Sequence, residues 1–302
     1  MSLQYGYAAL YYSDLVAQDG ITMIIEIFFF PSLIGLLIGS DYKKSIKRVV
    51  YFLFIIYFVL NLLQGDRGTW LYKIFPLIWL SHVYYRNIDF KRGLKFIFIA
   101  ILGLYLVYSL MALRGIGLGN ISVEDFKNAF SFDNFPIVQA LFEMGSSMGI
   151  MIILLMVGNN MWSYSNSYWV SILGMPTTKI PKLLGLDVVL IDNWFSQDFL
   201  SINWGAGFSM LGEAYLNYGL YMAPFILAII GYFIGTTLFE SSDFKNTRNY
   251  PLRYFFIATS SAALTGWSRG TSIMFLRNWF RGTLLICLII IVIFFILKRF
   301  RK

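Results

Sequence analysis

A chain of 302 residues that is 58% hydrophobic and 13% charged, with a mean hydropathy of +0.66, excludes a soluble globule. Charges would then recur along every helix, whereas here they fall in the gaps between apolar blocks of about 17 to 25 residues, the length that crosses a bilayer. One cysteine (Cys287, inside the last block) leaves no disulfide framework, one histidine (His82) argues against a zinc centre, and the net charge of +8 follows a membrane rule rather than a nucleic-acid one, because most cations flank apolar blocks.

In chain order, residues 1–20 are polar and Tyr-rich and lack the charged n-region of a secretory signal. Spans are expected at about Ile21 to Gly39, Val49 to Leu63, Thr69 to Tyr85 and Leu94 to Leu113, then at Leu211 to Phe239, Leu252 to Trp267 and Thr283 to Leu297. The expected fold is therefore all-α: a polytopic integral membrane protein forming one domain over 1–302, with about seven transmembrane helices and a long external loop, 114–210. Lys43, Lys44, Lys47 and Arg48, the cluster from Arg86 to Lys95, then Lys245, Arg248 and Arg253, and the terminal KRFRK alternate with poorer connections and mark the cytoplasmic face. That count closes only if the weakly apolar run Gly145 to Gly158 does not cross. At about fourteen residues it is short for a span and reads as a re-entrant or interfacial helix, an eighth span being the rival.

The external loop is too long for a connector and reads as a folded cap on the bilayer surface. Trp162, Tyr164, Tyr168, Trp169, Trp194 and Trp204 give it apolar faces with polar handles, suited to stacking on sugar rings or to sitting at headgroup depth.

Five arginines fall where the membrane rule places few cations. Arg67, Arg114 and Arg269 each end a span on the outer face and each precedes a glycine; Arg277 and Arg281 lie between the last two expected spans, in TSIMFLRNWFRG. Arginine's planar fork binds phosphate oxygens through two donors and keeps its charge in apolar surroundings. The two readings are an outward-facing diphosphate pocket and ordinary snorkelling to headgroups. In GAGFSMLGEAYLNYGLY, Glu213 and Asn217 share one helix face, four residues apart in an apolar span. A carboxylate there is expected to serve a site, as general base beside a water-filled, arginine-lined pocket, or to make a structural salt bridge to one of the arginines. Glu26 is a second acid within a span, while His82 and Lys73 read as satisfied core or snorkelling groups.

GDRG at residues 65–68, Arg114 at the start of the loop and above all GEAYLNYGL at residues 212–220 resemble the O-antigen polymerase family, Wzy, or oligosaccharide repeat unit polymerases, over about residues 60 to 270. Members commonly carry more spans than are counted here, the difference falling before residue 20. The resemblance implies a metal-independent glycosyltransferase without cofactor, in the bacterial inner membrane, with its site facing the periplasm. It implies transfer of a glycan from undecaprenyl diphosphate to the terminal sugar of another lipid-linked repeat unit, with membrane lipids and a chain-length regulator as partners. In that setting Arg67, Arg114 and Arg269 hold the departing diphosphate with Arg277 and Arg281 nearby. Glu213 takes the acceptor proton, Asn217 positions the hydroxyl, and Tyr164, Tyr168 and Trp169 line a sugar channel. An O-antigen ligase would share the donor and the arginines, and a flippase would place polar residues along a central path on several spans.

Overall fold

The computed structural model describes residues 20–64, 71–84, 89–113, 122–131, 136–202, 207–239 and 250–300, and among them every regular element is helical. Helices α1 (Gly20–Gly39), α2 (Lys44–Gln64), α3 (Leu71–Tyr84) and α4 (Phe90–Leu113) fall on the first four expected spans. The loop contains α5 (Val123–Ala129), α6 (Pro136–Val157), α7 (Ser167–Leu173), α8 (Lys179–Leu183) and α9 (Ile191–Asn193), the last running into a π-helical turn, Trp194–Phe199. Then come α10 (Met210–Phe239), α11 (Pro251–Trp267), α12 (Ser272–Trp279), a π-helical turn at Phe280–Leu284, and α13 (Leu285–Phe300).

Two stretches, Met210–Leu238 and Ser272–Phe300, are long and apolar enough to cross a membrane among the described residues. Every residue from Leu288 to Phe300 is exposed. A ten-residue row of exposed Leu, Ile, Val and Phe, 288–297, is left uncovered by the other described residues, and hydrocarbon is the solvent that suits it.

One core is shared by α1, α2, α3 and α11, with Ile34, Leu37, Val50, Leu80, Phe255 and Ala258 among its buried residues and Cys287 of α13 added. Pro31 cannot donate a hydrogen bond to Ile27, four residues earlier, and Gly282 of the π-helical turn packs there: a Cβ on it would lie 3.8 Å from Pro31 Cγ and 4.0 Å from the Ile27 carbonyl oxygen. The ring contacts also give the bundle two distinguishable ends. Tyr42, after α1, stacks on Tyr84 at the end of α3 (5.6 Å), and Tyr84 meets Tyr254 at the start of α11 edge-on (5.7 Å). At the other end, Gly266 of α11 lies against Tyr72 at the start of α3. Lys43, Lys44 and Arg253 thus share one end, and Arg269 lies at the opposite one.

Two elements run further than hydropathy suggested. The expected fourteen-residue helix is α6, 22 residues long. The segment holding Arg277 and Arg281, expected between spans, is helix continuous with the last span, so both arginines ride on it. α6 does not end at the lysine end: its Leu154 meets Gly212, and Asn159 just beyond it meets Gly219, both in the first turns of α10. α10 itself is two helices joined at Gly219, whose φ of 71° and ψ of −179° suit glycine alone.

Candidate functional site

The site is built where α10 starts. Ser209 caps the helix, its hydroxyl accepting from the Gly212 N–H at 3.1 Å, and Glu213 and Asn217 follow on one face. Gly212 lets α6 close in, since a Cβ there would lie 3.0 Å from Leu154 Cδ1.

Glu213 is 1% exposed, and its carboxylate faces two serines. The Ser167 hydroxyl donates to Oε1 at 2.6 Å; the Ser272 hydroxyl donates to Oε1 at 2.5 Å, and the Ser272 N–H to Oε2 at 2.6 Å. Ser272 is the first residue of α12, so its N–H is one of the amides a helix start leaves without an internal partner. Asn217 does the same for α7: its Oδ1 accepts from the N–H of Ser167, that helix's first residue, at 2.8 Å, and its Nδ2 donates to the Ser167 hydroxyl at 2.8 Å and to the Glu213 carbonyl at 2.7 Å. Two adjacent polar side chains of α10 therefore cap two other helices in trans, one from the 114–210 segment and one from the last apolar stretch. The positive ends of both helices converge on the acid. Ser171 closes the network, donating to the Ser167 carbonyl at 2.6 Å with its hydroxyl 2.6 Å from that of Ser272.

Around this node Tyr168 and Tyr218 pack ring to ring at 5.6 Å, and Trp267 stacks on Phe275 at 4.7 Å. Burial, then the Glu213 charge and Tyr218, raise the Tyr168 phenol well above the usual tyrosine range. Its hydroxyl is buried and finds no partner, as do Thr271 Oγ1 and the Trp267 indole N–H. Among the described residues these three atoms have no hydrogen-bond partner.

Glu213 was expected beside a water-filled, arginine-lined pocket. Among the described residues its carboxylate is met by the Ser167 and Ser272 hydroxyls and the Ser272 N–H, where two helix starts converge. Asn217 and Tyr168 join it there. Arg269 lies in the turn from α11 to α12, three residues before Ser272, so it is carried on the segment Glu213 holds in place. Trp169, next to buried Tyr168, points outward at 60% exposure, and Tyr164 is exposed with its ring against Trp162. Arg277 and Arg281 are partly buried in the last apolar stretch, and Arg277 Nε has no hydrogen-bond partner among the described residues. Arg67, Arg114 and Trp204 lie outside the described residues, as does the side chain of Glu26. Lys73 donates to the Tyr57 hydroxyl at 2.5 Å and lies over that ring, as a satisfied core cation does.

Ser167, Ser171 and Ser272 were not anticipated. The signal was present, since Ser167 and Ser171 are four apart on one face of an aromatic-rich helix, but hydroxyls at that spacing have no chemistry until an acceptor is brought to them.

The sequence model of the family described as O-antigen polysaccharide polymerase Wzy matches residues 1–300. No curated protein and no solved structure matches the chain.

Proposed function

The chain belongs to the O-antigen polysaccharide polymerase Wzy family, and from that premise we propose that it joins oligosaccharide repeat units carried on undecaprenyl diphosphate, at the periplasmic face of a bacterial inner membrane. The observation that carries this reading is the family match over residues 1–300, nearly the whole chain. The reaction moves a glycan: an acceptor sugar hydroxyl oxygen bonds to the donor's anomeric carbon, the bond from that carbon to the diphosphate breaks, and the hydroxyl proton leaves to solvent. Undecaprenyl diphosphate departs as an anion. Arg269, together with Arg67, Arg114, Arg277 and Arg281, supplies the charge that stabilises it, the task a metal ion performs in other glycosyl transfers. Tyr164 and Trp169, exposed on the loop, offer ring faces to the sugars.

Glu213 and Asn217 act in this reading as positioning residues. The support is burial and capping: a carboxylate committed to the starts of α7 and α12 fixes the aromatic segment of the loop and the turn bearing Arg269 relative to each other. Seven helices cross the membrane in this account, and α6 is re-entrant. Its C-terminal end rests beside Gly212 and Gly219, whereas a helix crossing from the Arg269 end would arrive at the lysine end. The test is a gel of surface polysaccharide from cells lacking the gene. Products carrying a single repeat unit are expected. Loss of every repeat-bearing band would instead indicate a flippase or a ligase, and a chain-length distribution that shifts without collapsing would indicate a regulator.

A further inference from the structure

The turn that follows α7 presents apolar side chains outward on a rigid base. In α8, Pro181 is fully buried and lies against Gly174 at the end of α7, where a Cβ would stand 3.7 Å from Pro181 Cγ. The helix closes with a paired hydrogen bond around Gly185 (φ 73°): Leu186 N–H donates to the Pro181 carbonyl at 3.0 Å, and Gly185 N–H to the Lys182 carbonyl at 3.1 Å. The chain beyond is tied down as well, because Asp187 N–H donates to the Ser165 hydroxyl at 3.0 Å.

A turn fixed at both ends holds Leu183 at 85% and Leu184 at 62% exposure, with Ile180 also exposed. Lys179 and Lys182 are exposed among them. Two leucines held out by a locked backbone are costly in water, and a mobile loop would tuck them in. Apolar side chains interleaved with lysines match one surface in particular, the boundary where acyl chains meet phosphate headgroups. The loop is also placed to reach it, since α7 is bound through Ser167 to Glu213 and Asn217 in the first turns of α10, whose stretch Met210–Leu238 is long and apolar enough to cross a membrane.

We infer that the α8 turn docks on the bilayer, with Leu183 and Leu184 in the acyl boundary and Lys179 and Lys182 on anionic phospholipid phosphates of the leaflet at the Glu213 end. This contact sets the depth of α7, and so of Trp169 and Tyr164, relative to the headgroup layer. It does not depend on which reaction the protein performs.

The test uses the full chain in nanodiscs of phosphatidylethanolamine and phosphatidylglycerol, with Leu184→Cys in a Cys287→Ala background carrying an environment-sensitive fluorophore. Quenching by nitroxide placed near the lipid headgroup, with shielding from aqueous iodide, is the expected result. Quenching by iodide alone overturns the inference. So does shielding from both quenchers, which would mean that protein, from a second copy or from elsewhere in the chain, covers the turn. Lys179→Glu and Lys182→Glu touch only exposed positions and should lower the ratio of docked to undocked label by about fivefold each, from the typical strength of one basic residue at an anionic surface. A label insensitive both to these changes and to the phosphatidylglycerol content would overturn the role given to the lysines.

Discussion

Ser272 donates both its backbone N–H and its hydroxyl to the carboxylate of Glu213, at 2.6 and 2.5 Å, across 59 positions of sequence. The acid thereby completes the start of α12, as a capping side chain would, from another helix. Glu213→Ala leaves that N–H and two serine hydroxyls without their acceptor in a buried site, and is expected to cost about 3 kcal/mol or more. Ser272→Ala keeps the N–H bond and removes one hydroxyl, at about 1 kcal/mol. Thermal unfolding in detergent reads both. Activity lost in Glu213→Gln should track stability, and Ser272→Ala should reproduce part of the loss. A Glu213→Gln protein with unchanged melting and abolished turnover would return the acid to the role of general base.

Gly219 divides α10 with φ 71° and ψ −179°, and a Cβ added there would also meet Asn159 Nδ2 at 3.3 Å. Gly219→Ala is expected to destabilise by about 1–3 kcal/mol, the usual range for a backbone held in a region reserved for glycine. Asn159→Ala removes the side-chain contact but not the strained dihedral, so it should recover only part of the loss. Full recovery would show that contact, and not backbone strain, is what the glycine avoids.

A pH-dependent element lies in the 114–210 segment. Ser122 and Asp125 form a reciprocal cap on α5: Asp125 N–H donates to the Ser122 hydroxyl at 3.1 Å, while Asp125 Oδ2 accepts from the Ser122 N–H at 3.0 Å and from its hydroxyl at 2.6 Å. The Ser122 hydroxyl and N–H hold the Asp125 carboxyl below its ordinary range. A lowered carboxyl stabilises the folded form above the ordinary aspartate range, and that support is lost as pH falls through the lowered value. The protection of α5 amides relative to their intrinsic exchange rate should therefore fall on acidification below about pH 4, and Ser122→Ala should flatten the dependence. Exchange that slows on acidification beyond its intrinsic chemical rate would contradict the assignment.

The arginines are predicted to behave differently from Glu213. Arg269 is in an exposed turn, so Arg269→Ala should fold normally and lose about a hundredfold in rate, the scale of one preorganised charge at a developing anion. Arg269→Lys keeps the charge without the two-donor fork and should recover only part of it. Polymer length on a gel reports both, with protein level as the control. Wild-type chain lengths from Arg269→Ala would remove this residue from the site.

Much of the helical layout could be read from hydropathy, because apolar blocks bounded by lysines leave a backbone few alternatives. Seven expected spans coincide with helices, most boundaries agreeing within a few residues. The failures occur where polarity and helicity part company. Gln139 and Glu143 interrupt the apolar run before Gly145 without interrupting the helix, so α6 begins at Pro136. Arg277 and Arg281 resemble an interhelical connection, yet the chain passes them in helix and a π-helical turn. The Glu213 and Asn217 pair was legible as an anomaly, since polar side chains four apart in an apolar span require partners. Those partners were not legible: they are N–H groups at two helix starts, and an amide carries no sequence signature.

The central claim, that this chain elongates a lipid-linked glycan, is tested most directly with purified protein in nanodiscs containing only the undecaprenyl-diphosphate-linked repeat unit. A ladder of multiples still attached to one undecaprenyl diphosphate is expected, with one free undecaprenyl diphosphate released for each unit added. A repeat unit that stays monomeric under these conditions, but is transferred once a lipid A core acceptor is supplied, would contradict it.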